Sequence, residues 1–419
     1  MKIIHIQGRE IFDSRGLPTV ECVLVLEDGT YVQASVPSGL STGSYEAVEL
    51  RDKDASRLMG LGVSQAIENL EKIIAPVLVG REPNSIEMDV ELVGLDGTQD
   101  KSNLGANALL AASIAVIRAQ ALISEVELYE LIAYLMDFKV VTLPFPLFNI
   151  INGGIHADNN MRIQEIMLMP VGFERFSQSY EAVQEVFYVL KDIVKTKGKR
   201  LIIGDEGGLS PIFDNDLQAL DLLMEALVAS GHDDKFKMGL DVAATQFYNK
   251  KTKKYDWNAT SFTSEKMVEL YTDLCKQYPI YSIEDGFAED DWQGWAECMH
   301  ALGDSIQIVG DDLFATNPHR IAQGIELQAA NACVIKPNQI GTVTEALQAI
   351  KLCQTYELNP IVSHRSGETE DVFIAELAVG ANVGQFKGGG CSRGESVAKY
   401  NELLRIEEEL LARQFADDD

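Results

Sequence analysis

The chain has 419 residues, of which 46% are hydrophobic, and this composition is typical of an ordinary globular protein. Its 64 acidic and 35 basic residues give a net charge of −29, so we expect neither nucleic acid nor an anionic membrane as a partner. The length exceeds what one hydrophobic core usually supports, which predicts two domains. An anionic substrate would have to be drawn in by a local cluster of cations or by a metal.

Cysteine usage and hydropathy indicate the cellular compartment. The six cysteines show no CxxC spacing, so reduced thiols are expected. The N-terminus turns polar too early for a signal peptide. The longest apolar stretch, residues 109–117, is about half of a membrane span. We therefore predict a cytoplasmic protein without a membrane span.

The first third of the chain, residues 1–137, predicts an α+β domain. Its elements are two strands at 20–26 and 30–36, then three helices at 63–78, 86–95 and 107–124. Glu27-Asp28-Gly29 between the strands is a hairpin turn signal. Residues 37–46 are rich in Gly and Ser and are either a flexible linker or a lid that closes on a ligand.

From residue 138 to 419, short apolar strands alternate with amphipathic helices, which is typical of βα units and a mainly parallel sheet. The predicted strands are at 147–151, 165–169, 237–242, 280–284, 307–309, 332–336, 360–363 and 383–386. The helices lie between most of them, for example at 180–195, 216–230, 264–278, 342–356 and 370–379. This number of strands favours a closed (β/α)8-type barrel. An open doubly wound sheet is the alternative, although no GxGxxG sequence opens its first unit.

Charged side chains stand at the ends of the late strands, and in a barrel these ends converge on the face that carries active sites. The residues are Asp241, Glu284, Asp311, Lys336, His364-Arg365-Ser366 and Lys387. One acidic strand end alone is more often a helix N-cap. Three carboxylates in register repel one another unless a cation joins them, and hard oxygen ligands favour Mg²⁺. The pattern predicts a metal site with cations for an anionic substrate.

Lys336 ends a fully apolar strand, and two interpretations are open for it. It is either a lysine whose amine reaches past the strand end to water, or a catalytic base kept neutral by its surroundings. The long interval after Asp241 contains residues 249–257, which we interpret as a β-hairpin excursion over the barrel mouth.

Two earlier loops are rich in glycine and carry candidate polar residues. Residues 152–160 include His156 and are followed by Gln164-Glu165, and residues 204–208 place Glu206 between glycines that permit close approach by a ligand. A polar turn is the alternative for each loop, and for His156 alone it is the preferred one.

Taken together, these residues resemble the motifs of the enolase family, in order and along the whole chain. The matching stretches are Ser14-Arg15-Gly16-Leu17-Pro18-Thr19-Val20-Glu21, Pro37-Ser38-Gly39, Ser41-Thr42-Gly43, Gly204-Asp205-Glu206-Gly207-Gly208, Ser282-Ile283-Glu284-Asp285, Lys336-Pro337-Asn338-Gln339-Ile340-Gly341, residues 363–371 and Val397-Ala398-Lys399-Tyr400-Asn401. Residues 156–160 are similar to those of the bacterial branch. A single motif of this length can arise by chance, but the ordered set is specific to the family.

The resemblance implies an N-terminal α+β capping domain on a barrel of atypical ββαα(βα)6 order. It also implies reversible dehydration of 2-phosphoglycerate to phosphoenolpyruvate with two Mg²⁺ per site, the second arriving with the substrate. Lys336 matches the general base and Glu206 the general acid. Asp241, Glu284 and Asp311 match the ligands of the first Mg²⁺, and Ser41 matches a ligand of the second. The positions that match substrate contacts are His156, Gln164, Glu165, Glu284, Asp311, His364, Arg365, Ser366 and Lys387. A homodimer or a ring of dimers, and a secondary presence at the cell surface, are also implied.

The chemistry of the reaction sets expectations for two pKa values. Metal cations and Lys387 should lower the pKa of Lys336, giving the neutral amine that a base needs. The carboxylates of Asp205 and Glu165 should raise the pKa of Glu206, which must be protonated when hydroxide leaves. Arg365 offers a bidentate fork for a phosphate group, and Ser366 offers a hydroxyl.

Four short stretches depart from the family pattern, and they keep alternatives open. They are Leu40, Met161-Arg162, Thr245-Gln246 and Gly388-Gly389-Gly390. These departures allow a paralogue that acts on another carboxylate or a phosphonate. A third hypothesis is a non-enzymatic surface-binding protein on the same scaffold, but it predicts damage to the ligand set, and the sequence shows none.

Overall fold

A computed structural model describes residues 1–39, 43–258 and 260–417, with only the backbone of residues 414–417. The N-terminal part is a three-stranded antiparallel sheet in the order β1–β2–β3, followed by helices. Its elements are β1 (Ile3–Phe12), β2 (Pro18–Leu26), β3 (Tyr31–Ser35), α1 (Ser64–Asn69), α2 (Ala75–Leu78), α3 (Ser85–Asp96), α4 (Ala106–Ile123) and α5 (Leu128–Leu135). Short 3-10 and π-helical turns lie at Leu58–Gly60 and Leu70–Ile74.

The predicted hairpin between β2 and β3 is present, and Gly29 provides the positive φ of +85° that its turn requires. Two elements of this N-terminal part were not predicted from the sequence, namely β1 and α5. The middle of β1 carries His, Gln, Gly, Arg and Glu, residues of modest β-propensity, and pairing with β2 along almost its whole length defines it as a strand. Tertiary pairing therefore overrides local preference in β1.

The sheet packs against α4, which is the central helix of this domain. Among the described residues, α4 is the one helix long and apolar enough to cross a membrane, and 78% of that segment is buried inside the protein. Packing against β2 and β3 accounts for its apolar composition.

The second part is a closed barrel of eight strands, β4–β5–β6–β10–β11–β12–β13–β14, in which β14 pairs with β4. Its elements in chain order are β4 (Phe145–Asn152), β5 (Glu165–Pro170), α6 (Phe176–Thr196), α7 (Asp216–Ser230), β6 (Phe236–Asp241), the excursion strands β7 (Tyr248–Asn249), β8 (Lys254–Trp257) and β9 (Thr260–Phe262), α8 (Ser264–Gln277), β10 (Ile280–Glu284), α9 (Trp292–Leu302), β11 (Gln307–Gly310), α10 (Pro318–Leu327), β12 (Ala332–Ile335), α11 (Val343–Thr355), β13 (Asn359–Ser363), α12 (Phe373–Gly380), β14 (Gln385–Gly390) and α13 (Gly394–Asp417).

This order is ββαα(βα)6, as the family resemblance implied. No helix separates β4 from β5, so β5 returns antiparallel and also meets β6 antiparallel. The remaining neighbours pair in parallel, which confirms the expected mainly parallel barrel.

Two predicted elements differ in detail from those observed. The last strand was placed at 383–386 but begins at Gln385, because Gly384 adopts a φ of +80° that interrupts extended backbone. It also continues to Gly390, so Lys387 lies inside β14 rather than after it. The excursion after Asp241 is a small sheet of three strands, β7–β8–β9, and not a simple hairpin.

The N-terminal domain contacts the start of α11, the first α-helix after Lys336. Asp89 Oδ2 accepts hydrogen bonds from Thr344 N at 2.9 Å and Thr344 Oγ1 at 2.7 Å. Ser113 Oγ accepts from Val343 N at 2.9 Å, and the buried Lys101 ammonium lies 2.8 Å from Glu345. Side chains of the first domain thus cap a barrel helix from outside.

Candidate active site

The charged residues predicted at the strand ends converge on one mouth of the barrel. Strand register places Asp241 beside Glu284 and also beside Glu165, and places Ser363 beside Lys387. These side chains and those of the two glycine-rich loops surround one cavity. It is lined by His156, Gln164, Glu165, Glu206, Asp241, Asp311, Lys336, Ser363, His364, Arg365, Ser366 and Lys387. Glu284 is 1% exposed and reaches the same group through Lys387.

Lys387 lies at the centre of the acidic cluster. Its Nζ is 3.0 Å from Glu284 Oε1, 3.2 Å from Asp241 Oδ2 and 3.2 Å from Glu165 Oε2. Burial disfavours the charged amine, but the surrounding carboxylates outweigh it and hold the pKa of Lys387 well above its usual value. One buried ammonium therefore balances several buried carboxylates.

The carboxylates remain crowded even with this cation among them. Burial, followed by the charge of Asp241, raises the pKa of Glu284 to about 8. Asp241, Glu284 and Asp311 are buried oxygen donors that already gather around ammonium groups. Their chemistry therefore fits a hard divalent cation.

Among the residues that the structure describes, two groups of three side chains bring ligand atoms within 4.8 Å of one another, and neither is the trio named from the sequence. They are His156, Glu165 and Glu206, and Asp285, Asp311 and Asp312. The Asp285 oxygens accept hydrogen bonds from the backbone of Asp311 at 3.0 Å and Asp312 at 2.8 Å. Asp285 therefore has a structural role in this turn.

The side chain of Lys336 is 13% exposed, and its ammonium contacts the Asp311 carboxylate directly. Burial lowers the pKa of Lys336, but the nearby carboxylates, Asp311 first, together outweigh it, and the result lies above the ordinary value. The expected lowering rests on bound metal cations as well as on Lys387, so it stays a prediction for the site with metal bound.

Glu206 lies on its glycine-rich loop and faces Glu165 and two histidines. Asn149 Nδ2 donates to Glu206 Oε2 at 3.0 Å, and His156 Nδ1 lies 3.3 Å from the same oxygen. Burial raises the pKa of Glu206, but the neighbouring His156 and His364 outweigh burial and hold that pKa well below its usual value.

The expected rise in the pKa of Glu206 is therefore wrong, and it is the pKa of its neighbour Glu165 that is raised. Burial and the charge of Glu206 raise the pKa of Glu165 well above normal. The nearby histidines and Glu165, not Asp205, set the titration of Glu206. Glu165 and Glu206 behave as a pair that shares a proton, as two adjacent carboxyl groups do.

Two further polar groups in the cavity wall are poised for a ligand. His156 Nε2 and Gln164 Oε1 are buried and have no hydrogen-bond partner among the residues that the structure describes. Buried polar atoms are normally paired, so such atoms in a cavity wall indicate a missing ligand or water. Burial also lowers the pKa of His364 to about 3, which leaves a neutral imidazole near Glu206.

Two functional candidates come from the N-terminal domain and were not singled out from the sequence. Glu46 forms a two-pronged ion pair with Arg365, and Arg15 Nη1 donates to Ser366 Oγ at 3.4 Å. No spacing signal identifies them, because they reach the site across the domain boundary. The available hint was that Arg15 lies within a quoted family motif and that Glu46 follows one.

The sequence departures can be placed individually. Leu40 and the predicted metal ligand Ser41 lie outside the described residues. Met161 is in the core, the side chains of Arg162 and Gln246 are exposed, and Thr245 Oγ1 accepts from Glu289 N at 3.1 Å. None of these four side chains is among the cavity-lining residues of the described chain.

The three glycines after Lys387 have a packing explanation. A Cβ at residue 388 would lie 2.6 Å from the ring of Phe386, and one at residue 390 would lie 2.5 Å from the backbone of Gly207. Gly390 N also donates to Glu206 O at 2.7 Å. The glycines thus let β14 pack closely against the Glu206 loop and do not widen the cavity.

Comparison with known families covers both parts of the chain. Residues 3–132 match the family model described as the enolase N-terminal domain. Residues 140–417 match the family model described as the enolase C-terminal TIM barrel domain. The two matches follow each other without overlap and include all the residues that line the cavity.

Proposed function

The chain belongs to the enolase family, and on this basis we propose that it catalyses the reversible dehydration of 2-phospho-D-glycerate to phosphoenolpyruvate. The observation that carries the proposal is the placement of Lys336 opposite Glu165 and Glu206. Strand β12, which Lys336 follows, stands four strands from β5 in the eight-stranded barrel. A base and an acid therefore face each other across one cavity.

In the proposed reaction, Lys336 accepts the proton from C2 of the substrate. The electron pair of that C–H bond moves into the carboxylate, giving a dianion. The C3–O bond then breaks, and the proton shared by Glu165 and Glu206 passes to the leaving hydroxide, which departs as water. Glu206 is assigned as the acid, with Glu165 as the residue that holds the proton before transfer.

Lys387 and the neutral His364 complete the wall of the cavity. The Lys387 ammonium, held in place by Glu284 and Asp241, would stabilise the developing dianion, since a preorganised positive charge lowers the barrier. Arg365 and Ser366 would bind the phosphate group, and the guanidinium matches its geometry.

The metal proposal follows from the donor set. Asp241, Glu284 and Asp311 would hold one Mg²⁺, and Ser41 with the substrate phosphate would hold a second. A bound Mg²⁺ would supply positive charge for the dianion, and an Asp311 carboxylate shared with it would raise the pKa of the Lys336 ammonium less. The chain's own groups then perform both proton transfers.

The alternative substrates are less well supported. The described departures, at residues 161–162, 245–246 and 388–390, do not line the cavity, so they offer no contact that would change the substrate. A purely non-enzymatic role leaves the buried lysines, carboxylates and polar atoms of the cavity unexplained.

The direct test is turnover. The protein is incubated with 2-phosphoglycerate and Mg²⁺, and the enol product is followed by its ultraviolet absorbance. We also propose that the protein is cytoplasmic and that it forms a homodimer or a ring of dimers. Sedimentation analysis tests the oligomeric state.

A further inference from the structure

Arg365, the proposed phosphate ligand, is held by a carboxylate from the other domain. Its Nη1 donates to Glu46 Oε2 at 2.7 Å and its Nη2 donates to Glu46 Oε1 at 3.3 Å. The side chains of Arg365 and Glu46 are only 3% and 8% exposed. Nη1 also donates to Asn338 Oδ1 at 3.2 Å. A buried two-pronged pair of this kind fixes the plane of a guanidinium.

The position of these partners relative to the cavity shows their role. Arg365 and Ser366 line the cavity of the candidate active site, whereas Glu46 and Asn338 are not among its lining residues in the described chain. They therefore contact the guanidinium from outside the substrate space. A ligand in the cavity can meet Arg365 without removing them.

Glu46 is itself rigidly placed. Its Oε1 accepts from Gly43 N at 2.8 Å, which closes the turn of residues 43–46. The flanking Ser44 donates to Glu289 from both its amide, at 3.1 Å, and its hydroxyl, at 2.6 Å. The Arg320 guanidinium stacks on Tyr45, with its Cζ 3.6 Å from the centroid of the Tyr45 ring. The two residues directly before Glu46 thus anchor the segment to the barrel.

Glu46 also has a link to the metal side of the site. Gln339 Nε2 lies 3.4 Å from Glu46 Oε1 and donates to Asp311 Oδ1 at 3.0 Å. In addition, the backbone of Ala47 donates to Gln339 O at 2.8 Å. One carboxylate of the N-terminal domain therefore contacts residues on both the phosphate and the metal sides.

We propose that Glu46 is a positioning residue that fixes the Arg365 guanidinium for the substrate's phosphate group, so that the N-terminal domain completes the phosphate subsite. The proposal rests on the proposed function, because it takes the phosphate role of Arg365 from there. The opposite possibility, in which Glu46 competes with phosphate for Arg365, predicts the reverse effect of removing it.

The experiment measures phosphate affinity in the full chain at a fixed Mg²⁺ concentration. Inorganic phosphate and, separately, D-glycerate are titrated by calorimetry into the unaltered protein, Glu46→Ala and Glu46→Gln. We expect Glu46→Ala to weaken phosphate binding about 10- to 100-fold, since misplacement of a binding group by about 1 Å has effects of that size. Glu46→Gln should weaken it less, because its amide oxygen still accepts one hydrogen bond. Affinity for D-glycerate, which lacks the phosphate group, should be unchanged.

Glu289→Gln is the matched control. It loosens the same segment at Ser44 but leaves the pair between Glu46 and Arg365 intact, so its phosphate affinity should stay within about twofold of the unaltered protein. An equal loss in Glu289→Gln, or tighter phosphate binding by Glu46→Ala, overturns the proposal.

The failure of this proposal is distinguishable from failure of the proposed function. Turnover of 2-phosphoglycerate by the unaltered protein, together with unchanged phosphate affinity in both Glu46 variants, overturns the positioning role alone. Absence of turnover and of phosphate binding in the unaltered protein overturns both.

Discussion

The Lys387 ammonium lies 3.0 Å from the Glu284 carboxylate, and both side chains are almost fully buried. The same nitrogen also meets Asp241 and Glu165. Removing one partner of a buried ion pair leaves uncompensated charge, so this relationship makes Lys387 a determinant of stability as well as of catalysis.

We predict that Lys387→Met destabilises the metal-free protein by about 3–5 kcal/mol, the usual result of breaking a buried pair. Added Mg²⁺ should restore more stability to the variant than to the unaltered protein, because it replaces the lost cation among the carboxylates. Thermal unfolding with and without a chelator measures both effects. An equal response of the two proteins to Mg²⁺ would show that these carboxylates do not hold the metal.

The two proton-transfer groups are separable by isotope exchange. Glu206→Gln should lose dehydration by at least about 100-fold while still exchanging the C2 proton with solvent, since Lys336 remains. Lys336→Ala should lose both activities. Deuterium uptake at C2, followed by nuclear magnetic resonance, distinguishes them. Loss of exchange in Glu206→Gln would reverse the assigned roles.

A close approach at Gly39 offers a test from the other side of Arg365. A Cβ at this residue would lie 1.8 Å from Arg365 Nη2, so Gly39→Ala must displace the guanidinium. We expect KM for the phosphorylated substrate to rise about 10- to 100-fold. Gly94→Ala is the control, because nothing lies within 4 Å of its new Cβ and it sits in α3. That variant should keep normal kinetics and gain up to about 1 kcal/mol. Equal KM values in the two variants would contradict the proposed phosphate role of Arg365.

The Asp89 contact at the start of α11 predicts a pH dependence of stability. Burial raises the pKa of Asp89 to about 6 from an ordinary value of 3.8. Because the folded-state pKa is the higher one, the folded protein binds the proton more tightly, and ionised Asp89 destabilises it above about pH 6. This destabilisation, about 3 kcal/mol from a shift of roughly two units, disappears as the pH falls toward 4.

Asp89→Asn isolates that effect, since it removes the titration while an amide oxygen can still accept from Thr344. The difference in unfolding temperature between Asp89→Asn and the unaltered protein should favour the variant most at pH 8 and shrink toward pH 4. A difference that is constant over this range would show that Asp89 does not titrate with a raised pKa.

The sequence predicted the barrel and the placement of charged residues at one mouth, because parallel strands bring their carboxyl ends together whatever the details of packing. Asp241, Glu284 and Lys336 could therefore be grouped without a structure. Glu46 and Arg15 could not, since their approach depends on how one domain docks onto the other.

The expected direction of the Glu206 pKa failed for a related reason. Which polar groups face a carboxylate is decided by distances of a few ångströms within the cavity, and strand register does not fix them. The histidines reversed the expected rise for Glu206, whereas the lowering expected for Lys336 beside bound metal stays a prediction.

The most direct test of the account is turnover of 2-phosphoglycerate by the purified chain as a function of Mg²⁺ concentration. We predict formation of the enol product that requires Mg²⁺, saturates with it, and disappears in Lys336→Ala. The proposed reaction would be contradicted if no product formed at any Mg²⁺ concentration while a thermal unfolding transition showed that the protein is folded.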